Sequence, residues 1–106
     1  GGGIGRMRET CGAACGMFIL AGLETGCVDA DDRQGKADNY AFVQKLAEEF
    51  RKENGSIICA ELLGLRERKP QVPTPEQRTE SYYMKRPCVK MVETAARIWV
   101  NRTKMQ

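Results

Sequence analysis

The stretch that decides the fold is DDRQGKADNYAFVQKLAEEFRKE, residues 31–53. Its apolar residues Tyr40, Val43, Leu46, Ala47 and Phe50 recur at the spacing of one helical face. Between them run alternating charges such as Glu48-Glu49-Phe50-Arg51-Lys52-Glu53, the pattern of a solvated opposite face. Acidic residues at 29, 31 and 32 suit a helix start, and Asn54-Gly55 is a stop signal. Gly35 weakens the first turns.

Upstream, residues 7–26 read as a first helix. Cys11, Cys15, Phe18 and Gly22 form its stripe, and Gly12, Ala13, Gly16 and Ala21 let a neighbour approach closely. Downstream, Ser56 is the expected cap of a short helix over 57–63, closed by Gly64, with Cys59 at its third position beside Leu62 and Leu63. Residues 65–73 are charged and proline-bearing, hence a loop. Thr74-Pro75-Glu76-Gln77 has the form of a capping box and predicts a short helix over 75–83. Pro87 opens a last helix to 102, with Cys88, Val92, Ala95 and Trp99 as its inward stripe. No segment alternates with period two. The expected fold is all-α, a small bundle of four to five helices, one of them short, in a single domain over 1–106.

The chain has 106 residues, 17 Lys+Arg against 14 Asp+Glu, five cysteines and no histidine. Without histidine there is no Ser-His or Cys-His pair, no HExxH metalloprotease and no Cys2His2 finger. No Gly-Lys-Ser/Thr phosphate loop and no GxGxxG fingerprint are present. The net charge of +3 carries no dense basic run, so no nucleic-acid partner is expected. The longest apolar stretch, residues 16–23, is too short to span a bilayer, and no membrane insertion is expected. An odd cysteine count inside helical patterns argues for cytoplasmic thiols with a redox or metal role rather than a secreted disulfide framework.

Cys11, Cys59 and Cys88 share one kind of address: each falls in or near the first turns of an expected helix. Free N–H groups and the positive end of the helix dipole favour thiolate over thiol there. The same features suit a thiolate ligand to a metal. Antiparallel packing of the first two helices returns Cys59 to the neighbourhood of Cys11. Cys88 joins them if segment 65–86 ends on the same side. Cys15 lies one turn above Cys11 and reads as packing, with a share in a metal site as the alternative. Cys27 lies roughly 24 Å from Cys11 along the helix and stands apart. Arg6, Arg8, Lys85 and Arg86 are cations available to a thiolate, although solvated surface is their commoner role. Tyr82, Tyr83 and Trp99 read as packing residues.

Gly1-Gly2-Gly3-Ile4-Gly5-Arg6 followed by Glu9-Thr10-Cys11-Gly12-Ala13-x-x-Gly16 resembles the signature of the C_GCAxxG_C_C family of redox-active proteins. Asn54-Gly55-Ser56-Ile57-Ile58-Cys59-x-Glu61-Leu62-Leu63-Gly64 resembles its third cysteine segment, and Cys88 with the final helix its fourth. The resemblance covers nearly the whole chain. It implies a small, helical, bacterial or archaeal protein, with Cys11, Cys59 and Cys88 as the second, third and fourth family cysteines. It also implies a link to a membrane transporter system and, through a related domain in split-Soret cytochromes, an iron–sulfur cluster. The family's first cysteine lies on a helix upstream of the glycine-rich segment. Nothing precedes Gly1 here, so the expectation is a shortened chain with an open apolar face and a tendency to homo-oligomerise.

The leading functional expectation is thiol/disulfide exchange or electron transfer through Cys11, Cys59 and Cys88, with an unidentified redox partner. The alternative is a thiolate-bound metal or iron–sulfur cluster on the same three residues. The third is a non-catalytic helical interaction module. No hydrolase or transferase signature is present.

Overall fold

A computed structural model describes residues 1–65 and 71–104. Its elements are α1 (Gly12–Thr25), α2 (Arg33–Asn54), α3 (Cys59–Leu62), α4 (Glu80–Lys85), α5 (Cys88–Val100) and a final 3-10 turn (Arg102–Lys104). Among the described residues the only β feature is one isolated antiparallel bridge, Thr10 to Ile58. The fold is all-α, as the periodicity predicts.

The caps explain the bounds of α2. The Asp32 carboxylate accepts the Gly35 N–H at 2.9 Å. Gly55, at φ +92°, ends the helix and donates its N–H to the Arg51 carbonyl at 2.7 Å. Asn39 Nδ2 donates to Thr25 Oγ1 at 2.8 Å, which sets the start of α2 beside the end of α1. The Arg102 guanidinium grips Glu24 with two hydrogen bonds of 2.8 Å, so α5 finishes where α1 finishes and the two run in the same sense. The three helices bury Ala14, Met17, Ala21, Phe42, Leu46, Phe50, Met91, Ala95 and Ile98 in one core. Each large apolar side chain there contributes about 1.5–3 kcal/mol by leaving water.

The expected α2 face holds at Val43, Leu46, Ala47 and Phe50 and differs at one residue, whereas the α5 face is rotated. On α2 the inward residue is Phe42, which packs on Trp99 with ring centroids 6.1 Å apart, while Tyr40 stays exposed. The phenol keeps its hydroxyl in water and the hydrocarbon ring takes the core place. On α5 the buried residues are Met91, Thr94, Ala95 and Ile98, while Cys88 and Val92 are exposed. Thr94 tolerates burial because its hydroxyl donates to the Lys90 carbonyl at 2.8 Å. Ile19 and Leu23 on α1, with Val89, Val92 and Val100 on α5, remain outside the core.

Two short helices also differ. No helix begins at residue 75: the Thr74 carbonyl accepts a hydrogen bond from the Arg6 guanidinium instead. α4 starts at Glu80, where the Thr79 hydroxyl accepts the Tyr82 N–H at 3.2 Å. α3 is four residues long, with Cys59 first rather than third. Ser56 sits ahead of it, accepting the Ile58 N–H at 2.9 Å. Part of the loop expected over 65–73 lies outside the described residues.

α1 begins at Gly12, not at residue 7, because the chain before it does something else. Gly2, Gly3, Ile4, Gly5 and Arg6 all have φ between +58° and +67°. They form a left-handed turn, with the Gly5 N–H on the Gly1 carbonyl at 3.0 Å. The turn folds back on residues 8 and 9, whose N–H groups donate to the Gly2 and Gly3 carbonyls at 3.1 and 2.8 Å. L-residues pay about 1–2 kcal/mol each for this conformation. Ile4, Arg6 and Arg8 all adopt it. The chain then extends, and residues 9–11 pair with 57–59: the Cys11 N–H donates to the Ile57 carbonyl at 2.7 Å and the Cys59 N–H to the Glu9 carbonyl at 2.6 Å.

Gly3 is fixed by space as well as by φ. A β-carbon there would lie 2.4 Å from Cys59 Cβ and 2.7 Å from Arg8 Cα. Gly3→Ala is expected to lower stability by about 2 kcal/mol or more, through backbone strain and overlap together. Ile4→Gly, at a half-exposed site with the same φ sign, is expected to leave stability unchanged or raised. Urea denaturation of both variants checks the pair.

The Arg102 hydrogen bond, aided by its charge, holds the Glu24 carboxyl below its ordinary 4.5 against a smaller opposing effect of burial. A depressed folded-state value means the pairing stabilises above the unfolded value and is lost as pH falls through the folded one. Arg102→Ala is expected to return the Glu24 titration towards 4.5, read by carboxyl-carbon NMR. A titration that does not move would separate the shift from this pair.

Candidate functional site

Cys59 is buried at the start of α3, with Gly3 against its β-carbon. Its Sγ lies 3.7 Å from a terminal guanidinium nitrogen of Arg8, which donates towards it. Arg8 is itself only 5% exposed, which matters because a buried guanidinium is always charged. Its Nε donates to Gln71 Oε1 at 3.0 Å. Among the described residues it has no carboxylate partner, so the group at hand to balance its charge is the Cys59 sulfur. This is the kind of electropositive setting that makes a cysteine reactive.

Cys11 is the N-cap of α1 and is half-buried. In the bridge register Thr10 faces Ile58, Cys11 faces Ile57 and Glu9 faces Cys59. Side chains alternate along paired segments, so Cys11 and Cys59 lie on one face as diagonal neighbours. Such neighbours have a separation on the order of 7–8 Å. A disulfide needs about 3.5–4.5 Å between β-carbons, so joining these two free thiols requires the backbone to move.

Cys88 opens α5 and is exposed. Because α1 and α5 run in the same sense, Cys11 and Cys88 start neighbouring helices. Arg86, two residues before Cys88, joins Glu76 at 3.1 Å, and the same carboxylate lies 4.0 Å from Arg6. The start of α5 is thereby tied to the left-handed turn. Cys15 is half-buried one turn into α1, its N–H on the Cys11 carbonyl at 2.9 Å. Cys27 lies past the far end of α1, where its thiol donates to the Asp29 carbonyl at 3.6 Å.

The electrostatic reason for singling out Cys59 changes with the structure. A four-residue helix has little dipole to offer. The cation at Cys59 is Arg8, one of the four cations that the sequence offers to a thiolate, although solvated surface is their commoner role. No local pattern marks it, because its partner is 51 residues away. Gln71 was missed for the same reason. The Lys85 side chain lies outside the described residues.

Among the described residues, no group of three or more Cys, Asp or Glu side chains is arranged to hold a metal ion. The Cys59 sulfur faces a guanidinium, which would compete with a metal cation for the same lone pairs. As arranged, the described side chains do not fit a multi-thiolate metal or iron–sulfur site. No helix among the described residues is long and apolar enough to cross a membrane.

The family model described as "Putative redox-active protein (C_GCAxxG_C_C)" matches residues 1–102. No curated protein and no solved structure matches the chain. The match takes in the left-handed turn, the bridge with both its cysteines, and the helix that Cys88 opens. The chain belongs to the C_GCAxxG_C_C family.

Proposed function

We propose that the protein exchanges thiols and disulfides with a partner, using Cys11 and Cys59 as the reacting pair. The observation that carries this reading is the buried Arg8 guanidinium against Cys59 Sγ, with Cys11 on the segment paired to it. Arg8 sets a cation beside the Cys59 sulfur, and Cys11 stands at the N-terminus of α1.

Exposure assigns the order. Cys11 is the more accessible of the two and attacks one sulfur of a partner disulfide as the thiolate. The partner S–S bond breaks, a mixed disulfide forms on Cys11, and the partner's other sulfur leaves as a thiolate. Cys59, as the thiolate held by Arg8, then attacks Cys11 Sγ. The mixed bond breaks, the partner's second thiolate departs, and the Cys11–Cys59 disulfide remains. The partner gains two electrons and the pair loses two. A cytoplasmic location suits this chemistry, since thiols stay reduced there. Metal ligation by Cys11, Cys59 and Cys88 is the weaker reading, because Arg8 occupies the face of Cys59 that a metal would need.

Treating the reduced protein with hydroxyethyl disulfide, quenching and mapping peptides tests the pair. The expected product is a Cys11–Cys59 cross-link. Arg8→Gln is expected to slow its closure by about tenfold, corresponding to one charge-assisted contact, and Arg8→Lys to recover part of the rate. A cross-link between other cysteines, or equal modification of all five, would contradict the assignment.

A further inference from the structure

We propose that the cleft between the left-handed turn and residues 71–86 binds a small oxygen-rich dianion such as a phosphate-like ion. Two cavities of about 290 and 310 Å³ share Arg6, Arg8, Glu76 and Arg86 in their walls. The second adds Arg78, Tyr82 and the glycine backbone of the turn. Among the described residues, four guanidinium groups therefore line the cleft with one carboxylate between them.

Glu76 cannot neutralise the cluster. Its Oε1 is already divided between Arg86 at 3.1 Å and Arg6 at 4.0 Å. Arg6 Nε is buried with no hydrogen-bond partner among the described residues, a donor that an anion's oxygen would satisfy. The Tyr82 ring holds two of the cations in place, with Arg78 Cζ 5.0 Å and Arg86 Cζ 4.8 Å from its centroid. Fixed, like-charged guanidinium forks around a cleft recognise oxyanions in bidentate fashion. A volume near the lower end of ligand pockets selects a small ion or metabolite over a nucleotide or peptide. Arg8 lines both cavities and also contacts Cys59 Sγ, so an anion in the cleft would draw on the cation that faces the thiol.

Titration calorimetry with inorganic phosphate at low ionic strength tests the site, with sulfate and succinate as further arms. The expected result is saturable one-to-one binding with Kd below about 1 mM. Stronger phosphate and sulfate binding than succinate identifies a tetrahedral oxyanion, and the reverse a dicarboxylate. Arg78→Gln, at an exposed position whose described contact is Tyr82, is expected to weaken binding by about fivefold. Arg78→Gln with Arg86→Gln should weaken it by about tenfold or more. Circular dichroism checks that each variant is folded. Cys59→Ser removes the sulfur that shares Arg8 and is expected to bind the anion at least as tightly as the parent, which keeps this proposal separate from the thiol chemistry. No saturable binding of any of the three anions, or equal binding by the folded Arg78→Gln protein, would overturn it.

Discussion

Gly3 lies against Cys59 with no space for a β-carbon, inside a turn wound with the wrong hand for L-residues. That contact is the constraint on which the sulfur-bearing end of the molecule depends. The turn occupies residues 2–6 and aims the chain so that Arg8 enters the interior. It also forces residues 9–11 to extend and pair with 57–59. Cys11 then becomes the cap of α1, and Cys59 becomes its diagonal neighbour. The strain at Ile4, Arg6 and Arg8 is held in place by the bridge hydrogen bonds and by the Arg6 and Arg8 side chains gripping Gln71 and Thr74. Strain of this sort persists only where the surroundings over-determine it, and it concentrates at functional sites.

The three-helix core carries this arrangement, with Cys11, Ile57 and Leu62 packed against it. Met17, Leu46 and Phe50 are fully buried and supply the non-directional stability. The Arg102–Glu24 grip aligns α5 with α1, which brings Cys88 and Arg86 to the end where the turn lies. The core is thus concerned with which ends meet, and the turn with what they do when they meet. Arginine is the shared element of the two proposals. Arg8 faces a sulfur on one side and a cationic cleft on the other.

Much of the bundle was legible in the sequence. The α2 pattern is a local signal, and so are Asp32 and Gly55 at its ends, each of which makes a hydrogen bond within a few residues. What was not legible depends on distant partners. Residues 7–11 carry helix-compatible side chains, but tertiary pairing with 57–59 overrides their propensity. Thr74 to Gln77 has the form of a cap, yet Arg6 takes the carbonyl. Phe42 took the inward place expected of Tyr40, and Met91, Thr94 and Ile98 took those expected of Cys88 and Val92, because the packing of α5 against α1 and α2 sets which of its faces turns inward. At the site, the motifs single out Cys11 and Cys59, and Arg8 is one of four cations available to a thiolate, but nothing local says that its partner is Cys59, 51 residues away.

The most direct test of the account is the equilibrium of the protein with dithiothreitol redox buffers, scored by counting free thiols at each ratio. One reversible transition with a two-electron slope is predicted, losing the Cys11 and Cys59 thiols together and vanishing in Cys59→Ser. A protein that shows no reversible two-electron transition, or one that survives Cys59→Ser unchanged, would contradict the claim that these two cysteines are the redox pair.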